Sequence, residues 1–176
     1  MKTFICLLVG AVLAQFSAFG AEAPKVMPKV GDMAPDFSAA ASDGTTVHLK
    51  DYVGKDNIIL YFYPKDDTTG CTKEACGIRD SFGEFKGMDA TVFGVSFDSV
   101  ESHKNFIAKY KLPFVLLADT DKKVAKLYGV ADDKSVVARR VTFVINKAGK
   151  IAFVDPNVNP ATHADELRSV LVHLAE

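Results

Sequence analysis

Residues 58–76 read Ile58-Ile59-Leu60-Tyr61-Phe62-Tyr63-Pro64-Lys65-Asp66-Asp67-Thr68-Thr69-Gly70-Cys71-Thr72-Lys73-Glu74-Ala75-Cys76. The first six residues are apolar and β-prone, which suits a central strand buried on both faces. From Cys71 to about Phe85 the period changes. Ile78, Phe82 and Phe85 recur four and three apart, as one stripe of a helix does. Cys71 is therefore expected where a strand hands over to a helix. A sulfur there faces backbone N–H groups with no acceptor inside the helix, at the positive end of the helix dipole. Both favour a thiolate. An inert buried thiol is the competing reading, and the polar flank Asp66, Asp67, Thr68, Thr69 argues against it.

Working outward, Ser42-Asp43-Gly44 is a turn signal between short extended stretches that could pair as a hairpin. Gly77 and Gly83 each weaken the helix after Cys71 by about 1 kcal/mol relative to Ala. Thr91 to Phe97 is a second buried strand. Asp98 followed by Glu101 predicts a capping box with Asp98 as the cap, opening a helix that runs to about Tyr110 before Pro113. Phe114 to Leu117 reads as a strand, Asp119 to Gly129 as a short helix, and Val141 to Ile145 with Ile151 to Val154 as a hairpin turning at Gly149. Leu167, Val170, Leu171 and Leu174 mark a last helix from about Thr162 to Ala175. This order predicts an α/β domain with a mixed sheet and helices on both faces.

The 176 residues suit one domain, and 48% hydrophobic with 24% charged residues is ordinary for a globular chain. A net charge of −1 gives no general attraction to nucleic acid or to anionic membranes. Residues 1–20 form a separate segment. Lys2 precedes an apolar run from Phe4 to Ala14, and Ala18-Phe19-Gly20 offers small residues for cleavage, the pattern of a secretory signal. Cleavage near Gly20 leaves a flexible leader at 21–30 and a domain at 31–176, exported and expected in the periplasm, with no membrane attachment. Losing Lys2 takes the 21 basic residues to 20 against 22 acidic, a net of −2. Cys6 is lost as well, leaving Cys71 and Cys76 as a candidate redox pair.

The spacing of that pair constrains its chemistry. In a straight helix, residues five apart have Cα atoms about 8.7 Å apart. A disulfide needs roughly 4.4–6.8 Å. The two cysteines can bond only if the helix locally unwinds, which disfavours a static structural disulfide and fits one formed during a reaction cycle. The spacing is not Cys-x-x-Cys, and His48, His103, His163 and His173 show no metal-ligand spacing, so neither metal nor cofactor is expected.

Pro64, Thr68 and Cys71 form Pro-x-x-x-Thr-x-x-Cys, which resembles the active-site motif of peroxiredoxins. Tyr61 to Asp80, with its second cysteine, resembles the Q-type, or bacterioferritin-comigratory-protein, subfamily. Gly31 to Phe37, Val95 to Asp119 and Arg140 to Ile151 are similar to their counterparts there. The resemblance covers most of the chain from about residue 29 and implies a thioredoxin-like fold. It further implies that Cys71 is the peroxidatic cysteine, oxidised to a sulfenic acid, and that Cys76 resolves it as an intramolecular disulfide. Thr68 would bond the sulfur and the peroxide, Pro64 would cover the site, and Arg140 would stabilise the thiolate and the leaving oxygen. Glu74 stands where relatives carry Glu or Gln and would orient the site. Arg139 is expected on the opposite face of the strand. Thr69 departs from a frequent proline, and Ala131 to Ala138 is shorter than in some relatives.

The implied activity is thiol-dependent reduction of hydrogen peroxide and organic hydroperoxides by a monomer, with a thioredoxin-like or other dithiol reductant as partner. Two alternatives stay open at this point: a thiol–disulfide oxidoreductase acting on proteins, and a redox-switched binding or chaperone-like protein.

Overall fold

A computed structural model describes residues 26–175. The expected export signal, its cleavage point near Gly20, Cys6 and most of the leader lie outside the described residues. Seven strands form one sheet: β1 (Ser38–Ala41), β2 (Thr46–His48), β3 (Asn57–Phe62), β4 (Ala90–Ser96), β5 (Val115–Ala118), β6 (Val141–Ile145) and β7 (Ile151–Asp155). Their order is β2-β1-β5-β4-β3-β6-β7. The central β3, β4 and β5 run parallel, and the remaining pairings are antiparallel. The helices are α1 (Thr69–Gly87), α2 (Val100–Tyr110), α3 (Lys123–Leu127) and α4 (His163–Leu174). This is the expected mixed α/β architecture.

Alternation along the central strands divides the core. Ile58, Leu60 and Phe62 face one side with Phe143, Tyr128 and Phe37, where α3 lies. Ile59, Tyr61 and Tyr63 face the other, against Ile78 and Phe85 of α1, Phe106 of α2, and Leu167 and Leu171 of α4. Tyr61 needs room that β4 supplies at Gly94. A Cβ at that position would stand 2.6 Å from the Tyr61 ring and hydroxyl, closer than any real Cβ contact.

Several expectations shift in detail. The early hairpin forms around the predicted turn, and its first strand is the alanine-rich Ser38–Ala41. Alanine has little strand preference, so that strand carries no local signal of its own. Gly77 and Gly83 do not interrupt α1. The cap of α2 is Ser99, whose Oγ accepts from the Ser102 N–H at 3.2 Å, and not Asp98. Asp98 is drawn away by a tertiary bond, accepting from the Asp66 N–H at 2.9 Å and from the Ser96 hydroxyl at 2.7 Å. The short helix starts at Lys123, and the Asp119 carboxylate accepts from the Val124 and Ala125 N–H groups at 3.0 and 2.8 Å.

Candidate active site

Cys71 is the third residue of α1, on the buried stripe that continues through Glu74, Ala75, Ile78, Ser81 and Phe85. It is 1% exposed. Cys76 is half-buried and lies off that stripe, as a 140° rotation on the helix requires. Both thiols are free. Because α1 is unbroken from Thr69 to Gly87, the reduced pair is held apart.

Arg140 precedes β6, next to the end of β3, since Val141 pairs with Phe62. Its Nη2 donates to the Cys71 sulfur at 3.2 Å, and its Nη1 donates to Oε2 of Glu74. The Glu74 side chain is fully buried, while that of Arg140 is 20% exposed. Burial works against the arginine charge, but Glu74 and the Cys71 sulfur outweigh it and hold the guanidinium above its ordinary pKa. The cation is thus fixed by its fork, one prong on the carboxylate and one on the sulfur. Gly70 makes the approach possible, since a Cβ there would stand 3.3 Å from Nη2. Arg139 is exposed; both arginines lie just before β6, so strand alternation does not apply to them.

Thr68 occupies the cap position of α1 by backbone conformation, yet its side chain makes no capping bond. Its hydroxyl donates to the Lys65 carbonyl at 3.1 Å. The expected bond from Thr68 to the sulfur is therefore not made in this conformation, because the single hydroxyl proton is engaged one turn back. Pro64 is half-buried at the head of the loop.

That loop is anchored by residues that sequence reasoning passed over. Asp66 accepts from the Tyr63 hydroxyl at 2.6 Å, the Ser102 hydroxyl at 2.7 Å and His103 Nδ1 at 2.9 Å. Burial pushes the Asp66 carboxyl up, but those bonds, led by His103, outweigh it and hold it below the usual carboxylate value. His103 Nε2 lies 3.2 Å from the Leu117 carbonyl. The ring thus bridges the Asp66 carboxylate on one side and the β5 backbone on the other. Asp67 sits at φ 57, a left-handed conformation that Asp tolerates better than most residues. Its carboxylate is held by Lys109 Nζ and the Tyr110 hydroxyl, both at 2.6 Å. In sequence these partners are some forty residues away, with no local signal to connect them.

Residues 30–154 match the model of the AhpC/TSA family. The chain belongs to the AhpC/TSA family. Among similar proteins, a peroxiredoxin bcp from Coxiella burnetii is 44% identical over 145 residues, covering 79% of this chain and 95% of its own. A chloroplastic peroxiredoxin Q from Sedum lineare is 44% identical over 146 residues, covering 82% of this chain and 78% of its own. The crystal structure of a PrxQ mutant from Xylella fastidiosa superposes with a TM-score of 0.79 at 32% identity, over 86% of this chain and 99% of that one. Peroxidoxin BcpB from Mycobacterium tuberculosis gives 0.78 at 32% identity, over 84% and 98%. The sheet and helices are those of thioredoxin-fold peroxiredoxins, and thiol-dependent peroxidase is the activity of this AhpC/TSA member. Cys71, Glu74, Arg140 and the loop from Pro64 are brought together at one end of β3.

Proposed function

We propose that Cys71 is the peroxidatic cysteine and Cys76 its resolving partner. The observation that carries this reading is the Arg140 guanidinium, pinned by buried Glu74 and donating to the Cys71 sulfur at 3.2 Å. The thiolate of Cys71 attacks one peroxide oxygen, the O–O bond breaks, and the sulfur becomes a sulfenic acid. The departing hydroxide or alkoxide takes a proton and leaves as water or alcohol. Arg140 is placed to stabilise the charge that moves from sulfur to oxygen, without reorganising during the step. Thr68 re-aims its hydroxyl from the Lys65 carbonyl to the incoming peroxide, and Pro64 shields the sulfur from water. Helix α1 then unwinds locally, the Cys76 thiolate attacks the Cys71 sulfur, hydroxide is expelled, and an intramolecular disulfide remains. A thioredoxin-like dithiol returns the pair to thiols by exchange.

The monomeric state and the periplasmic setting are part of the same proposal. They rest on the self-contained cysteine pair and on the signal pattern before Gly20. An oxidising compartment lacks the cytosolic thiol pool, so the reductant is expected to be a dedicated exported dithiol protein.

The test is Cys76→Ser in the mature chain. One equivalent of hydrogen peroxide should leave Cys71 one oxygen atom heavier by mass, with no disulfide. If Cys76→Ser blocks that first oxidation, the two roles are misassigned.

A further inference from the structure

Behind the Arg140–Glu74 pair lies a group that the mechanism above does not use. His163 opens α4 and is 1% exposed. Its Nδ1 stands 3.1 Å from Oε1 of Glu74, the oxygen that Arg140 leaves free. Hydrogen-bonding geometry is not reached. Oε1 of Glu74, both ring nitrogens of His163 and the nearby Tyr61 hydroxyl are buried without hydrogen-bond partners. Groups in that condition are uncommon in folded proteins, and here they cluster behind the reactive sulfur. The Tyr61 and His163 rings meet edge-on at 6.4 Å. Burial, then the charges of Glu74, Asp66 and Cys71, keep the Tyr61 phenol protonated.

We propose that His163 is a positioning residue: it holds Glu74, and through it Arg140, against Cys71, and so latches the first turns of α1 in the reduced conformation. The inference rests on the reading that Cys71 reacts and Cys76 resolves.

Two physical arguments support the latch. The first is charge. With Cys71 as a thiolate, the buried set holds two anions, Cys71 and Glu74, and one fixed cation, Arg140. His163 is the other side chain within ion-pair distance of Glu74 that is able to carry a positive charge. The other group facing the ring, Tyr61 of β3, stays uncharged, and on α4 itself Glu166 is engaged by the Thr162 hydroxyl at 2.7 Å. The second argument is connectivity. Glu74 lies between the two cysteines in sequence. Any unwinding that brings Cys76 to Cys71 must pull Glu74 from its seat between Arg140 and His163. The same contact that readies the sulfur therefore also resists the unwinding that disulfide formation needs. It sets how long the sulfenic acid waits, and so how often a second peroxide overoxidises it.

The experiment is quenched-flow mass spectrometry on the reduced mature chain mixed with hydrogen peroxide, counting thiol, sulfenic acid and disulfide with time. His163→Leu keeps bulk and removes both nitrogens. It should slow formation of the sulfenic acid about tenfold, the scale of one lost contact to a buried charged group. Disulfide formation from the sulfenic acid should become several-fold faster. The equilibrium of the Cys71–Cys76 disulfide against glutathione should move about tenfold toward the disulfide, about 30 mV more negative. His163→Gln, with an amide N–H for Glu74, should recover most of both changes. In a Glu74→Gln background, His163→Leu should no longer split the two steps. Rates that stay within about twofold in His163→Leu, or two steps that fall together in both His163 variants, overturn the proposal. If no sulfenic acid forms at Cys71 in the unsubstituted chain, the underlying reading fails and the latch fails with it.

Discussion

Replacing Arg140 by Met keeps a long side chain and removes the fork. Two costs follow, and they can be separated. Glu74 is fully buried and Arg140 one-fifth exposed, so the substitution strands a carboxylate inside the protein. Breaking a buried pair on one side costs about 3–5 kcal/mol, and the partial exposure of Arg140 argues for about 3 kcal/mol at the lower end of that range. For a domain of this size, each kcal/mol moves the melting temperature by about 2–4 °C, so the fall should be about 6–12 °C. The chemical cost is distinct. A fixed donor at the reacting atom is removed, which lowers the peroxide rate by about 10²–10³. Glu74→Leu leaves a cation that can still reach water, so its stability cost should be smaller than that of Arg140→Met. The double substitution Arg140→Met with Glu74→Leu removes both charges and should regain most of the stability, while the peroxide reaction stays slow. Thermal melts of the reduced protein by circular dichroism and single-turnover peroxide kinetics read the two effects. Two results would refute the reasoning: Arg140→Met melting with the unsubstituted chain, or the double variant recovering fast peroxide reduction.

Gly70→Ala should leave helix stability equal or slightly raised yet slow the peroxide reaction, because its Cβ meets Arg140 Nη2 at 3.3 Å and pushes the donor off the sulfur; equal rates in single-turnover assays would mean the guanidinium accommodates the methyl group. Gly94→Ala should be among the costliest small substitutions in the core, about 1–3 kcal/mol or more by chemical denaturation, since its Cβ would stand 2.6 Å from Tyr61. Asp66 carries a pH signature. Its carboxyl titrates below the ordinary value in the folded chain, so the stability it contributes is complete above the unfolded value of about 3.9 and is lost as pH falls through the folded one. The difference in unfolding free energy between the unsubstituted chain and Asp66→Asn should shrink as pH falls below about 4. Taking the difference cancels Asp119, whose carboxyl is pushed up, mainly by burial, and runs the other way. A gap that persists into strong acid would mean that Asp66 acts through packing and not through its charge.

Much of this site was legible because its parts are local. The apolar run to Tyr63, the polar turn and the switch to a 3.6-residue period placed Cys71 at the start of α1, and the spacing to Cys76 forbade a bond across an intact helix. Arg140 was singled out by resemblance and not by alternation, since it and Arg139 lie just before β6. What could not be read depends on distant groups meeting. Asp98 looked like a cap, and in the structure it serves the Asp66 backbone from the end of the neighbouring strand β4. Thr68 was expected at the sulfur, and its hydroxyl is taken by Lys65 three residues back, a choice of rotamer that no pattern encodes. His163 carried only the signal of a polar residue at the first turn of an amphipathic helix. Its burial follows from α4 packing on α1, where Ala164 lies 3.8 Å from the place of a Cβ on Gly77.

The anchoring of Asp66 and Asp67 has a consequence for recognition. Apart from Tyr63, just after β3, the partners of their side chains, His103, Ser102, Lys109 and Tyr110, belong to α2, which does not have to move in the unwinding of α1 proposed above. In that proposed cycle the loop before Cys71 is a stationary jaw, and the first turns of α1 are the moving one. A dithiol partner that touched only the stationary jaw would see the same surface before and after turnover and could not tell spent protein from fresh. In the proposed cycle, discrimination would come from backbone of α1 that loses its helical hydrogen bonds in the disulfide form, and the signal that calls for reduction would be a stretch of unpaired main chain.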